Sequence, residues 1–270
     1  MIEINKLHTG DSLELLKLVD DNSIDFHITS PMYADMKKYE TSNGIHPDKY
    51  VEWILPFIKE IERTMKPTGN FLLNINDKVV DSFRHPYVFD LISQIHKQTG
   101  LKMNERLFWD KGKCLPNRAR FGDRIEYLFW FSKSKERYFN MDAMRRPYSP
   151  VSLKRFEKPL KRRFCRTKEN QDASDYKAWS PNSSGALPST LVSIGSCAKR
   201  ISETHVAIFP EKLVEYFIKG MTREGELVCD IFSGSGTTAA VSKKLKRNYI
   251  GMEISQAYND ESQIRLNNIS

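Results

Sequence analysis

The segment 227–255, LVCDIFSGSGTTAAVSKKLKRNYIGMEIS, constrains the fold of this chain more than any other. A β-rich run (227–232) carries Asp230, a tight Ser233-Gly234-Ser235-Gly236 turn follows, and Thr237 opens an alanine-containing helical stretch leading to a second β-rich run (248–252) just before Glu253. Glycines let a backbone pass close to a ligand, and the free N–H groups of a helix start face whatever binds there. Further runs of the kind buried in parallel sheets occupy 24–29 (IDFHIT), 70–75 (NFLLNI) and 126–131 (EYLFWF). Between Tyr50 and Met65, Trp53, Ile54, Phe57, Ile58 and Ile61 recur at helical spacing. Lys66-Pro67-Thr68-Gly69 predicts a stop after that helix, and Gly220 closes another over Glu211–Lys219. Strands alternating with helices predict an α/β sheet.

Three ligand classes compete for the glycine turn. A dinucleotide fingerprint wants a third glycine where this chain has Ala239, a tolerated change, so the turn alone leaves NAD open. A phosphate loop needs Gly-Lys-Ser/Thr, and Gly236-Thr237 has no lysine there. S-adenosylmethionine carries positive charge at its sulfonium and amino-acid end, which Asp230 complements and which a pyrophosphate would lack. Glu253, about 20 residues beyond the turn, is placed to bind ribose hydroxyls.

Charge narrows the partner. The 270 residues hold 42 Lys+Arg against 34 Asp+Glu, a net charge of +8 that favours an anionic partner, nucleic acid first. From Arg145 to Lys168 basic residues, among them Arg146, Arg162 and Arg163, face the single acid Glu157, interleaved with Tyr148, Phe156 and Phe164. Cations meet phosphates and aromatic faces meet bases. This segment and the Ser/Gly/Pro/Asn-rich stretch after it predict an insertion over 138–203 that interrupts the α/β body. Arg118, Arg120 and Arg124, ahead of the 126–131 run, predict a loop beside the active site that helps hold a base or phosphates. Cys114, Cys165, Cys197 and Cys229 form no C-x-x-C pair, so no metal site is expected and a reducing cytoplasm fits. No run approaches the roughly 18 apolar residues of a membrane span.

Two motifs in a particular order carry a resemblance. DIFSGSGTT resembles the cofactor motif, and Ser30-Pro31-Met32-Tyr33 the catalytic motif [DNS]-P-P-[YFW], of the amino-methylating DNA methyltransferases, which modify N4 of cytosine or N6 of adenine. THVAIFPEKL resembles the block ahead of that cofactor motif, and LHTGDSLELLKLVDDNSIDFHITSPMY resembles the start of such enzymes. Catalytic motif first, recognition region in the middle and cofactor motif last is the order of the family's permuted β group.

The resemblance implies a Rossmann-like S-adenosylmethionine-dependent methyltransferase sheet with an inserted target-recognition region: a catalytic part over 1–137, the insertion over 138–203, and a cofactor-binding part over 204–270. It implies S-adenosylmethionine as cofactor and double-stranded DNA as partner, in the cytoplasm of a bacterial or archaeal cell. A cognate restriction endonuclease and either a monomer or a homodimer accompany that reading. Ser30 and Pro31 are the implied acceptors for the target amine's hydrogens, and Tyr33 stacks on the base. Asp11, His205, Phe209, Asp230, Phe232, Gly234, Gly236, Thr237, Thr238 and Glu253 are the implied cofactor residues, and Arg118, Arg120, Arg145, Arg146, Arg162 and Arg163 the DNA-facing ones. Serine in the first motif position favours N4-cytosine, with N6-adenine the alternative and a non-catalytic DNA-binding relative behind both. Met32 departs from the motif's second proline, preserving the acceptors while loosening the turn.

Overall fold

The computed structural model describes residues 2–34, 44–112, 119–157, 160–161, 178–179, 181–196 and 209–269. The chain opens with β1 (Lys6–Thr9), α1 (Ser12–Leu16), β2 (Ile24–Thr29), α2 (Pro47–Thr64) and β3 (Met65–Ile75). Next come a small hairpin, β4 (Val79–Val80) with β5 (Phe83–Arg84), then α3 (Tyr87–Gln98), β6 (Lys102–Asp110) and β7 (Ile125–Ser132). After α4 (Pro150–Phe156), β8 (Leu160–Lys161), β9 (Ala178–Trp179) and β10 (Leu191–Ser193) come α5 (Glu211–Met221), β11 (Leu227–Asp230), α6 (Thr237–Lys244), β12 (Asn248–Glu253) and α7 (Gln256–Asn267).

Among the described residues, eight strands form one sheet in the order β1-β12-β11-β2-β3-β7-β6-β10. Pairings from β1 through β3 are parallel, both pairings of β7 are antiparallel, and β10 runs parallel to β6. In this sheet β7 therefore runs against all the others. The 126–131 run, which reads as a parallel strand, is buried as such strands are but reversed in direction. Burial on both faces erases the alternation that would have marked it.

The helices cover the sheet because their apolar residues recur on one side. Tyr50, Ile54, Ile58 and Ile61 of α2 and Leu91 and Ile95 of α3 are buried with Ile24, Phe71, Leu73 and Phe131 of the sheet. Each such side chain contributes roughly 1.5–3 kcal/mol by leaving water. A second cluster joins Leu7, Ala239, Ala240, Tyr249 and Leu266, packing α6 and α7 against β1 and β12. Pro47 starts α2, and the helix ends at Thr64, whose hydroxyl donates to Glu60 O at 2.9 Å. Residues 66–69 do end the helix, yet they continue as extended backbone into β3. Lys66 Nζ anchors that extension on both carboxylate oxygens of Asp25 in β2, at 2.7 and 2.9 Å. Gly220 does not stop α5, which runs on to Met221; its carbonyl accepts the Asn140 N–H at 2.7 Å.

The chain divides into two compact units, Met1–Asn140 with Ser189–Ser270, and Met141–Pro188. The smaller lies inside the 138–203 segment marked by its basic composition. Within it Arg146 bridges Ala186 across the backbone, Tyr148 meets Phe156 edge-on at 4.8 Å, and Met144 is buried. Among the described residues no helix is long and apolar enough to cross a membrane.

Candidate active site at the carboxyl edge of the sheet

Strand direction gathers the polar tips. β1, β12, β11, β2, β3 and β6 all finish on one edge of the sheet, and the reversed β7 starts there. In open α/β sheets this edge is where ligands bind.

At its first part lies the glycine turn. Gly234 (φ 51°) and Gly236 (φ 67°) take left-handed conformations, and a Cβ on Gly236 would sit 2.7 Å from Ser262 Cβ. Glu253 Oε2 accepts the Gly234 N–H at 2.9 Å and Oε1 that of Ser255 at 3.0 Å, so the acid at the end of β12 fixes the turn from β11. Burial pushes the Glu253 carboxyl above its ordinary range, against these backbone hydrogen bonds. Asp230 is buried, its Oδ1 accepting from Thr29 Oγ1 (2.8 Å) and Phe232 N (3.1 Å) and its Oδ2 from Thr238 Oγ1 (2.6 Å). Burial raises its carboxyl to about 6. Thr29 thus ties the end of β2, just before Ser30, to the glycine turn.

The remaining expected cofactor residues distribute as follows. Asp11 caps α1, its Oδ1 accepting the Leu13 N–H at 2.7 Å. Phe232 packs its ring against Phe57 (5.2 Å) and Trp53 (5.7 Å). Thr237 Oγ1 accepts from Arg265 Nη1 at 3.1 Å, and Phe209 is half-buried ahead of α5. His205 lies outside the described residues, as do Arg118, Arg162, Arg163 and the 35–43 segment with Asp35, Lys37 and Tyr39. The acids suit a cationic, ribose-bearing ligand: two carboxylates stand at the ends of adjacent strands, joined through a glycine turn. Ser233 Oγ, in the turn, is buried with no hydrogen-bond partner among the described residues.

The second part is the Ser-Pro tip after β2. Ser30 is half-buried and Pro31 buried. The Met32 carbonyl accepts from Tyr50 Oη at 2.9 Å, and Tyr87, whose ring lies 4.7 Å from that of Tyr50, bonds to the Ala34 backbone. The rigidity a second proline would give is supplied by two tyrosines of α2 and α3. Sequence reasoning missed the residues around Ser30. Ser30 Oγ donates to Asn74 Oδ1 at 3.1 Å and lies 3.5 Å from Tyr33 Oη; Tyr33 Oη donates to Glu126 Oε2 at 2.6 Å. Asn74 Nδ2 donates to Tyr127 O (3.1 Å) and Glu126 Oε2 (3.3 Å), and Lys111 Nζ to Glu126 Oε1 at 2.9 Å. Burial, then the Glu126 charge, pushes the Tyr33 hydroxyl well above its ordinary range. The signal for Asn74 was a polar residue near the end of an apolar strand; for Glu126 there was none, because an acid opening a strand reads as lying on the far edge.

Of the expected DNA-facing arginines, Arg120 and Arg146 are exposed. Arg145 is committed to its own unit, its side chain 13% exposed between Asp142 Oδ1 (2.6 Å) and Gly185 O (2.8 Å).

A Rossmann-like sheet with a glycine turn between two acids and a Ser-Pro tip on the neighbouring strand defines an S-adenosylmethionine-dependent methyltransferase. The family model described as DNA methylase matches residues 24–264, and the chain belongs to that family: it is an S-adenosylmethionine-dependent DNA methyltransferase. It is 31% identical to the type II methyltransferase M.PvuII of Proteus hauseri, covering 98% of this chain and 84% of that one. It is 28% identical to M1.MboII of Moraxella bovis, covering 100% and 99%. The solved PvuII DNA methyltransferase, described as cytosine-N4-specific, superposes with a TM-score of 0.73 at 26% identity over 98% of this chain and 87% of that one. The M1.HpyAVI–SAM complex shares the fold with a TM-score of 0.60 at 20% identity, over 97% and 98%.

Proposed function

We propose that the protein methylates the exocyclic N4 amine of a cytosine flipped out of duplex DNA at a specific sequence. The observation that carries this reading is the Ser30 hydroxyl, whose hydrogen is given to Asn74 Oδ1 at 3.1 Å, so that its lone pairs remain for a substrate donor. An amine conjugated to a ring is a poor nucleophile because its lone pair is delocalised. Ser30 Oγ and the Pro31 carbonyl accept hydrogen bonds from its two hydrogens and draw the nitrogen toward a tetrahedral geometry with a free lone pair. Tyr33 offers its ring as a stacking face while Glu126 holds its hydroxyl. S-adenosylmethionine would supply the electrophilic methyl group, with Asp230 and Glu253 as the residues that would hold its charged end and its ribose. A paired amine is out of reach inside the duplex, which is why the base leaves the stack.

Serine at the head of the motif, and the cytosine-N4-specific description of the similar PvuII enzyme, support cytosine over adenine. The 138–203 segment reads the target sequence, with Arg146 and Arg120 on phosphates. A companion endonuclease and a monomeric or homodimeric state complete the proposal. Duplex DNA incubated with methyl-labelled cofactor and digested to nucleosides tests it. Label in N4-methylcytosine is expected; label in N6-methyladenine overturns the base assignment, and unlabelled DNA overturns the activity.

A further inference from the structure

We infer that Glu126 is the positioning residue for the catalytic hydroxyl, acting through Tyr33 and Asn74; this rests on the methyltransferase reading above. The hydrogens available to these groups decide it. Tyr33 has one hydroxyl hydrogen and two acceptors in reach, Glu126 Oε2 at 2.6 Å and Asn74 Oδ1 at 3.1 Å. The shorter, charged acceptor takes it. Asn74 has its amide orientation set on the other side, since Nδ2 donates to Glu126 Oε2 and Tyr127 O, which turns Oδ1 toward Ser30. With Tyr33 occupied, Asn74 Oδ1 is left for the Ser30 hydrogen. Ser30 has no other hydrogen, so the face it turns to a substrate amine carries lone pairs alone.

Without the carboxylate the network rearranges. Asn74 Nδ2 loses the Glu126 oxygen that helps orient its amide, so Oδ1 is no longer held toward Ser30 and the Ser30 hydrogen is free to point at the substrate amine. A donor then faces a donor. Lys111 complements the carboxylate at 2.9 Å, with the Glu126 side chain 12% exposed and that of Lys111 21%. That ion pair satisfies Glu126 Oε1, but it leaves unexplained why Oε2 gathers both Tyr33 and Asn74.

Steady-state and single-turnover methylation of duplex DNA, with Glu126→Gln, Asn74→Ala and the double variant, tests the assignment. Each single change is expected to lower kcat about 10- to 100-fold, the scale of a misplaced reacting group. KM for DNA and cofactor affinity should stay within about twofold, since the lost interaction is made in the transition state. The double variant should be no slower than Asn74→Ala, because both changes break one chain of contacts. Should the lone Lys111 ammonium destabilise the first variant, Lys111→Met with Glu126→Gln removes both charges and carries the same expected loss. Wild-type kcat in Glu126→Gln, losses that multiply in the double variant, or a change confined to KM each overturn the inference. Those outcomes require a wild-type chain that labels DNA; a wild-type chain that labels none sinks the methyltransferase reading instead.

Discussion

Ser30, Met32 and Asp230 show how far single residues can be read. Replacing Ser30 with Ala removes one acceptor and should lower kcat by about 100-fold or more while cofactor affinity, measured by calorimetry, is retained. Met32 is held by its backbone, so Met32→Pro should leave activity near wild type. Tyr50→Phe instead deletes the 2.9 Å bond to the Met32 carbonyl and should cost about 1 kcal/mol together with a lower kcat, read from a urea titration and an initial-rate assay. Asp230 makes a pH prediction. Its native carboxyl titrates near 6, above the ordinary 3.8, because burial penalises its charge. Between these values the native state holds a proton that the unfolded chain has lost, so this group's stabilisation is complete below about 4 and gone above about 6. The stability difference between wild type and Asp230→Asn should therefore fall as pH rises across that window and be flat above it.

The elements were legible where pattern and period agree. Residues 24–29 and 248–252 form the expected strands, and the Trp53–Ile61 spacing forms the helix that buries Tyr50 and Ile58. Reading failed where the signal was generic. Lys66–Gly69 reads as a stop and is one, but an ion pair to Asp25 keeps it extended in the sheet. Gly220 looks like a helix end, yet six of the α5 residues including it are buried, and packing overrides propensity. Where a glycine is demanded by conformation the prediction is firmer. Gly236→Ala places an L residue at φ 67° with its Cβ against Ser262, and should cost about 1–3 kcal/mol. A melting temperature lowered by several degrees, with weakened cofactor binding, checks it.

At the scale of the whole molecule, the net charge of +8 bears on the proposed contact with DNA. Arg146→Gln should reduce the slope of log affinity against log salt by about 0.9, the loss of one phosphate contact, in anisotropy measurements on duplex DNA. Arg145→Gln should instead destabilise the Met141–Pro188 unit, since its guanidinium bonds inward. By itself the sequence determined the α/β class, the glycine turn with its flanking acids, the Ser-Pro tip and the order of the two motifs. All of these are local patterns whose chemistry lies within a few residues. Only the tertiary structure decided that Asn74 bonds Ser30 and that Glu126, paired with Lys111, holds Asn74 and Tyr33. Whether a buried strand runs parallel or antiparallel leaves no mark in an apolar run, so the edge on which Glu126 stands is settled by how β7 pairs with β3 and β6.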